Sequence, residues 1–133
     1  MSISARATST VVQPMRVNAQ DRDHLREQWR LKAVAFAEAD DKAVRAKEGK
    51  QIFLDELVDT LIEQAEKAGE KLAQTKAERM ARTSASFKAY ITEMYDLRHA
   101  AKLAEIEEKN ADRLYWAQIS DEAMARKEMG MSR

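Results

Sequence analysis

Three glycines and one proline in 133 residues leave this chain little with which to turn. Together they are about 3 % of the sequence, where roughly 12 % is usual. A β-sandwich or barrel needs frequent turns, and an α/β fold needs a loop after every element, so both are excluded. The expectation is an all-α chain. Charged residues make up 35 % and aromatics only 6 %, which favours long, thin, solvated helices over a thick core.

The charges balance, 23 basic against 23 acidic, so no global field draws the chain to nucleic acid or to an anionic membrane. Any such binding has to come from a local patch. Without cysteine there is no disulfide, thiolate metal site or cysteine nucleophile, which suits a reducing compartment such as the cytoplasm. No apolar run approaches the ~20 residues that span a bilayer, and no secretory signal is visible. A membrane partner is therefore not expected.

Residues 1–19 read as a flexible arm, rich in Ser and Thr, with the only proline (Pro14) and two arginines but no acid. A disordered tail or partner-binding arm fits this stretch, as does an organellar transit peptide. Residues 20–130 read as a single helical domain. Asn18 is placed to cap its first helix. Leu25, Trp29, Ala33, Phe36, Ala39, Ala43 and Ala46 then recur at three- and four-residue spacing as one narrow stripe, its alanines allowing a neighbouring helix to come close. Gly49 is expected to end or kink this helix. The richest apolar stretch follows, with Ile52, Phe53, Leu54, Leu57, Val58, Leu61 and Ile62, expected at the core or in an oligomer interface. Gly69 to Gln74 reads as a connector. Thr75 and Glu78 form a capping-box pattern opening a short helix that stops near Thr83, and Ser84 to Ser86 is a second start signal.

One long helix is then expected from about Ala85 to Glu128, roughly 65 Å by rise per residue, with Gly130 terminating it. Tyr90, Met94, Leu97, Ala101 and Ala104 form its first stripe; Leu103, Ile106, Leu114, Ala117 and Met124 suggest a second. The natural arrangement is a long helical hairpin or bundle with coiled-coil-like packing, the short capped helix lying between longer segments.

Little points to catalysis. His24 and His99 sit in no ligand pattern, and the acidic pairs Asp40–Asp41, Asp55–Asp59 and Glu105–Glu108 have cationic neighbours on charged helices. The glycines are twenty or more residues apart, so no phosphate loop is present. No cofactor, metal or enzymatic activity is expected.

The informative asymmetry is central. Lys71, Lys76, Arg79, Arg82 and Lys88 face one acid, Glu78, giving +4 in a neutral chain, with Phe87 and Tyr90 close by. Cations interleaved with aromatics suit single-stranded nucleic acid, where phosphates meet the charges and bases stack. The bland alternative is a solvated helix with Phe87 and Tyr90 in the core. Arg22, Arg26 and Arg30 make a second basic row, partly neutralised by Asp23 and Glu27. Tyr115 and Trp116 point about 100° apart on a helix. One of them should therefore meet a partner; Trp116 is grouped with Ile52, Leu54, Leu57, Val58, Leu61 and Ile62 as the candidate oligomer interface.

The segment Leu72-Ala73-Gln74-Thr75-Lys76-Ala77-Glu78 with Ala81, Ser84 and Phe87 resembles a pattern in small helical proteins of phages and prophages. So does Leu114-Tyr115-Trp116-Ala117-Gln118 with Ala123, Arg126, Glu128 and Met129. The order of elements is similar to that of the recombination mediator family of T-even-like phages. The resemblance implies a small ring-forming protein that binds single-stranded DNA and loads a recombinase in place of the single-strand binding protein. It places the chain in the host cell cytoplasm, with Lys71 to Lys88 as the DNA contact. The expectation is thus a non-enzymatic, self-associating accessory protein. Two alternatives are a virion or secretion adaptor that binds only protein, and an inhibitor that docks on one enzyme.

Overall fold

The computed structural model describes residues 19–131. The expected arm and the Asn18 cap lie outside them, apart from Ala19, which is helical. The fold is all-α, with three helices: α1 (Ala19–Lys67), α2 (Gln74–Thr83) and α3 (Ala85–Met131). The chain divides into two compact units, Leu31–Lys109 and Met1–Arg30 with Asn110–Arg133.

In the Leu31–Lys109 unit, α1 and α3 run antiparallel. Lys32 pairs with Glu107 at 3.0 Å, while further along α1 Ala46 and Phe53 both meet Tyr90. The α1 stripe lies where its spacing places it, with Ala33, Phe36, Ala39, Ala43 and Ala46 all half-buried. Gly49 does not end the helix, because α1 continues to Lys67. Its role is steric: a Cβ at Gly49 would lie 3.0 Å from the Tyr90 hydroxyl, which donates to the Ala46 carbonyl at 2.5 Å. The Tyr90 ring also stacks on Phe53 at 4.6 Å.

Gly69 ends α1 instead, with φ +77°. Its N–H donates to Glu66 O and the Glu70 N–H to Ala65 O, a paired closure that needs the left-handed residue glycine adopts freely. After the connector, α2 folds back over the end of α1. Ala77 and Ala81, four residues apart and so on one face, are both fully buried against Leu54 and Val58. Leu57, Leu61, Ile62, Leu72 and Phe87 pack around them. This corrects the expected interface. Leu54 and Val58 belong to the chain's own core, since two alanines let a helix of ten residues sit directly on them. Leu57, Leu61 and Ile62 are half-buried around that core, and Ile52, 63 % exposed, and Trp116 are left outside it.

The capping box does not form. The Ala77 N–H bonds back to Ala73 O at 2.9 Å, so α2 starts at Gln74 and Thr75 falls inside its first turn. Glu78 takes a hydrogen bond from Gln74 instead. Ser84 behaves as its position suggests: its Oγ accepts from the Phe87 N–H at 3.2 Å and donates to Ala81 O at 2.6 Å, closing α2 and opening α3 with one residue.

In the other unit, residues 19–30 and 110–131 are also antiparallel. Arg22 meets Glu122 at 3.3 Å, and Trp29 stacks on Tyr115 with ring centroids 5.5 Å apart. The expected second stripe of α3 is not a packing face. Leu103, Ile106, Leu114, Ala117 and Met124 are all exposed. The seam of this unit runs through Ala111, Tyr115, Gln118, Ile119 and Glu122. Gln118 is buried, yet its Nε2 has no hydrogen-bond partner among the described residues. Asp112 Oδ1 is likewise buried and unpaired among them. Gly130 lies within α3, whose last residue is Met131.

Candidate nucleic-acid interface

The five cations of the link all sit in the Leu31–Lys109 unit, and all are exposed. Lys71 stands on the connector and Lys88 on the first turn of α3. Between them, α2 is oriented by its buried Ala77 and Ala81, so the opposite face must point to water. Lys76, Arg79 and Arg82 occupy that face, each three residues on and turned back about 60° from the last. The core therefore fixes the direction of the charges.

None of the five is ion-paired among the described residues. Glu78, the one acid of the segment, is half-buried and bonded to Gln74. Elsewhere pairing is mixed: Lys42, Arg113 and Arg126 are likewise without an ion pair among the described residues, while other cations are paired within one helical turn. Arg45 meets Asp41 at 3.0 Å, Lys67 meets Glu63 at 3.5 Å, and Lys109 meets Glu105 at 2.8 Å. The hydrogen bond from Lys109 holds the Glu105 carboxyl below its ordinary range.

The second basic row is mostly spent. Arg30 grips Glu27 through two hydrogen bonds of 2.7 and 3.0 Å, lowering the Glu27 pKa and raising its own. Arg22 is committed to Glu122. Of that row, Arg26 alone is exposed without an ion pair among the described residues.

The aromatics of the link follow the bland alternative. Phe87 packs against the core and Tyr90 is stacked and hydrogen-bonded, so neither offers a face to a base. The exposed aromatic nearby is Tyr95, 57 % exposed and seven residues beyond Lys88. Its signal is readable in the sequence as the spacing Lys88, Tyr95, Lys102. Trp116 is 54 % exposed while its neighbour Tyr115 is stacked inside, as their 100° separation requires. His24 and His99 are exposed, and no cluster of three or more metal-ligating side chains occurs among the described residues. No helix among them is long and apolar enough to cross a membrane.

The chain matches no family model, no curated protein and no solved structure.

Proposed function

We propose that this protein is a non-enzymatic, self-associating accessory protein that holds single-stranded DNA by its phosphates and loads a recombinase, in the manner of a phage recombination mediator. The observation that carries this reading is the set of five exposed cations, without ion pairs among the described residues, displayed on and beside a helix whose orientation the core dictates. What sets the link apart is the concentration of such cations with a single acid: Lys76, Arg79 and Arg82 share one face of α2, whereas Arg30, Arg45, Lys67 and Lys109 are each paired within one helical turn.

Self-association is supported by what the fold leaves uncovered. No large side chain is fully buried among the described residues, and Ile52 and Trp116 are each more than half exposed. Copies brought together would pool +4 per link, and multivalency would offset weak binding by each one. A single-strand binding protein and the recombinase are the partners this reading implies.

Light scattering of the full chain with a salt-dependent oligonucleotide titration tests both parts. The reading expects an oligomer that Ile52→Ser or Trp116→Ser weakens, and DNA binding that falls with salt. A monomer that binds no single strand at low salt would leave the protein-only adaptor.

A further inference from the structure

Lys88, Tyr95 and Lys102 lie seven residues apart on α3, so they share one side of the helix at steps of about 10 Å. Arg98 stands on the same side. Lys47 and Lys50 of α1 complete the rim of a groove that the two helices leave within the Leu31–Lys109 unit, with a volume of about 620 Å³. The groove exists because the seam is lined here by alanine: Ala43 and Ala101 cannot fill the space that Phe36 and Met94 only partly occupy.

The lining is asymmetric in charge. Lys47, Lys50, Arg98 and Lys102 carry no ion pair among the described residues. Its two carboxylates, Asp40 and Glu105, both lie at the end remote from the link, since α1 and α3 are antiparallel, and Glu105 is already bonded to Lys109. Cations thus continue along α3 from Lys88 to Arg98 and Lys102 at the groove, where Lys102 also acts on the Glu105 carboxylate. Tyr95 stands at the groove with neither a hydrogen bond nor a ring partner among the described residues, unlike Tyr90 and Tyr115.

We propose that this groove is the base-contacting part of the single-strand path: phosphates meet Lys47, Lys50, Arg98 and Lys102 while a base stacks on the exposed ring of Tyr95. The proposal rests on the reading that the link holds single-stranded DNA, and adds to it a site where the bases themselves are felt. Cations alone would suit an acidic peptide equally. The bare aromatic ring among them favours a ligand with planar groups, because every base presents a π-face and stacking tolerates any sequence.

The test uses the full chain with a labelled thymidine oligonucleotide and an abasic strand of the same length, titrated by fluorescence anisotropy. The wild type should bind the thymidine strand about tenfold more tightly, in line with stacking of a single base. Tyr95→Ala should bring it to the abasic level without changing the salt dependence, and Tyr95→Phe should keep the preference. Equal binding of both strands by the wild type, or a preference that survives Tyr95→Ala, overturns the groove while leaving the link reading intact. Failure of both strands to bind at low salt overturns both. Tight binding of a poly-glutamate peptide that is lost in Tyr95→Ala overturns the proposal in favour of an acidic protein partner.

Discussion

Replacing Lys76, Arg79 and Arg82 together by Ala removes three of the five unpaired link cations and touches nothing in the core, since all three point away from Ala77 and Ala81. On a single strand each neutralised phosphate contributes about 0.7 to the slope of log K against log salt. Losing three contacts should make the slope shallower by about 2.1, whatever other phosphate contacts exist. Between 50 and 200 mM salt the variant should therefore lose about twentyfold less affinity than the wild type. The assay is anisotropy of a short labelled thymidine oligonucleotide at four salt concentrations, with binding expressed per protomer. Thermal unfolding should show the variant within about 0.5 kcal/mol of wild type, as expected for outward-facing positions. A matched control, Arg22→Ala with Arg30→Ala, removes two cations already committed to Glu122 and Glu27 and should leave the slope where it was. An unchanged slope in the triple variant, or an equal drop in the control, would refute the assignment of the link as the phosphate contact.

Leu54→Ala should destabilise the fold by about 2–5 kcal/mol in denaturant unfolding, and by the same amount at every protein concentration, because Leu54 lies in the chain's own core. Gly69→Ala should cost about 1 kcal/mol by the same measurement, since its φ of +77° is strained for any residue with a Cβ even though no atom obstructs one. The lowered Glu105 pKa means the unfolded chain binds its proton first as pH falls. The stabilisation is complete above the ordinary 4.5 and disappears as pH drops through the lower folded value. Lys109→Gln should move the Glu105 carboxyl titration, followed by NMR, back up towards 4.5.

The all-α fold was legible from the scarcity of turn formers, and the α1 seam from its spacing, because each is a local property of the chain. What misled was settled by residues distant in sequence. Gly49 resembles a helix terminator until Tyr90 is known to lie against it, 41 positions away. The distal half of α3 carries two rows at helical spacing, one apolar and one mixed. The mixed row with Gln118 and Glu122 faces inward because Tyr115 finds Trp29 and Glu122 finds Arg22 there. Hydrophobicity alone selects the other row, and no local rule reverses that choice. At the candidate site, the cations were readable as a charge imbalance. Their freedom from ion pairs was not, since it depends on which way Ala77 and Ala81 turn α2.

The fate of Phe87 and Tyr90 bears on how such a link would work. Read as sequence, they are candidate stacking partners for bases; in the fold they are fasteners. Phe87 packs on the core beneath α2, its N–H tied to Ser84, while Tyr90 locks α3 to α1 through Phe53 and the Ala46 carbonyl. Ser84 closes one helix and opens the next within a single residue, so α2 meets α3 through a joint with little slack. The backbone that bears Lys76, Arg79 and Arg82 is thereby ordered before any ligand arrives, and only the long side chains remain to be immobilised, at about 0.5–1.5 kcal/mol each. With only five cations in the link, that prior ordering matters, because a flexible loop of the same charge would add the cost of ordering its backbone, about 1–2 kcal/mol per residue. On the proposed reading, two aromatics used as fasteners in the core would thus do more for phosphate binding than they would as exposed platforms, and would leave base contact to a ring held elsewhere on α3.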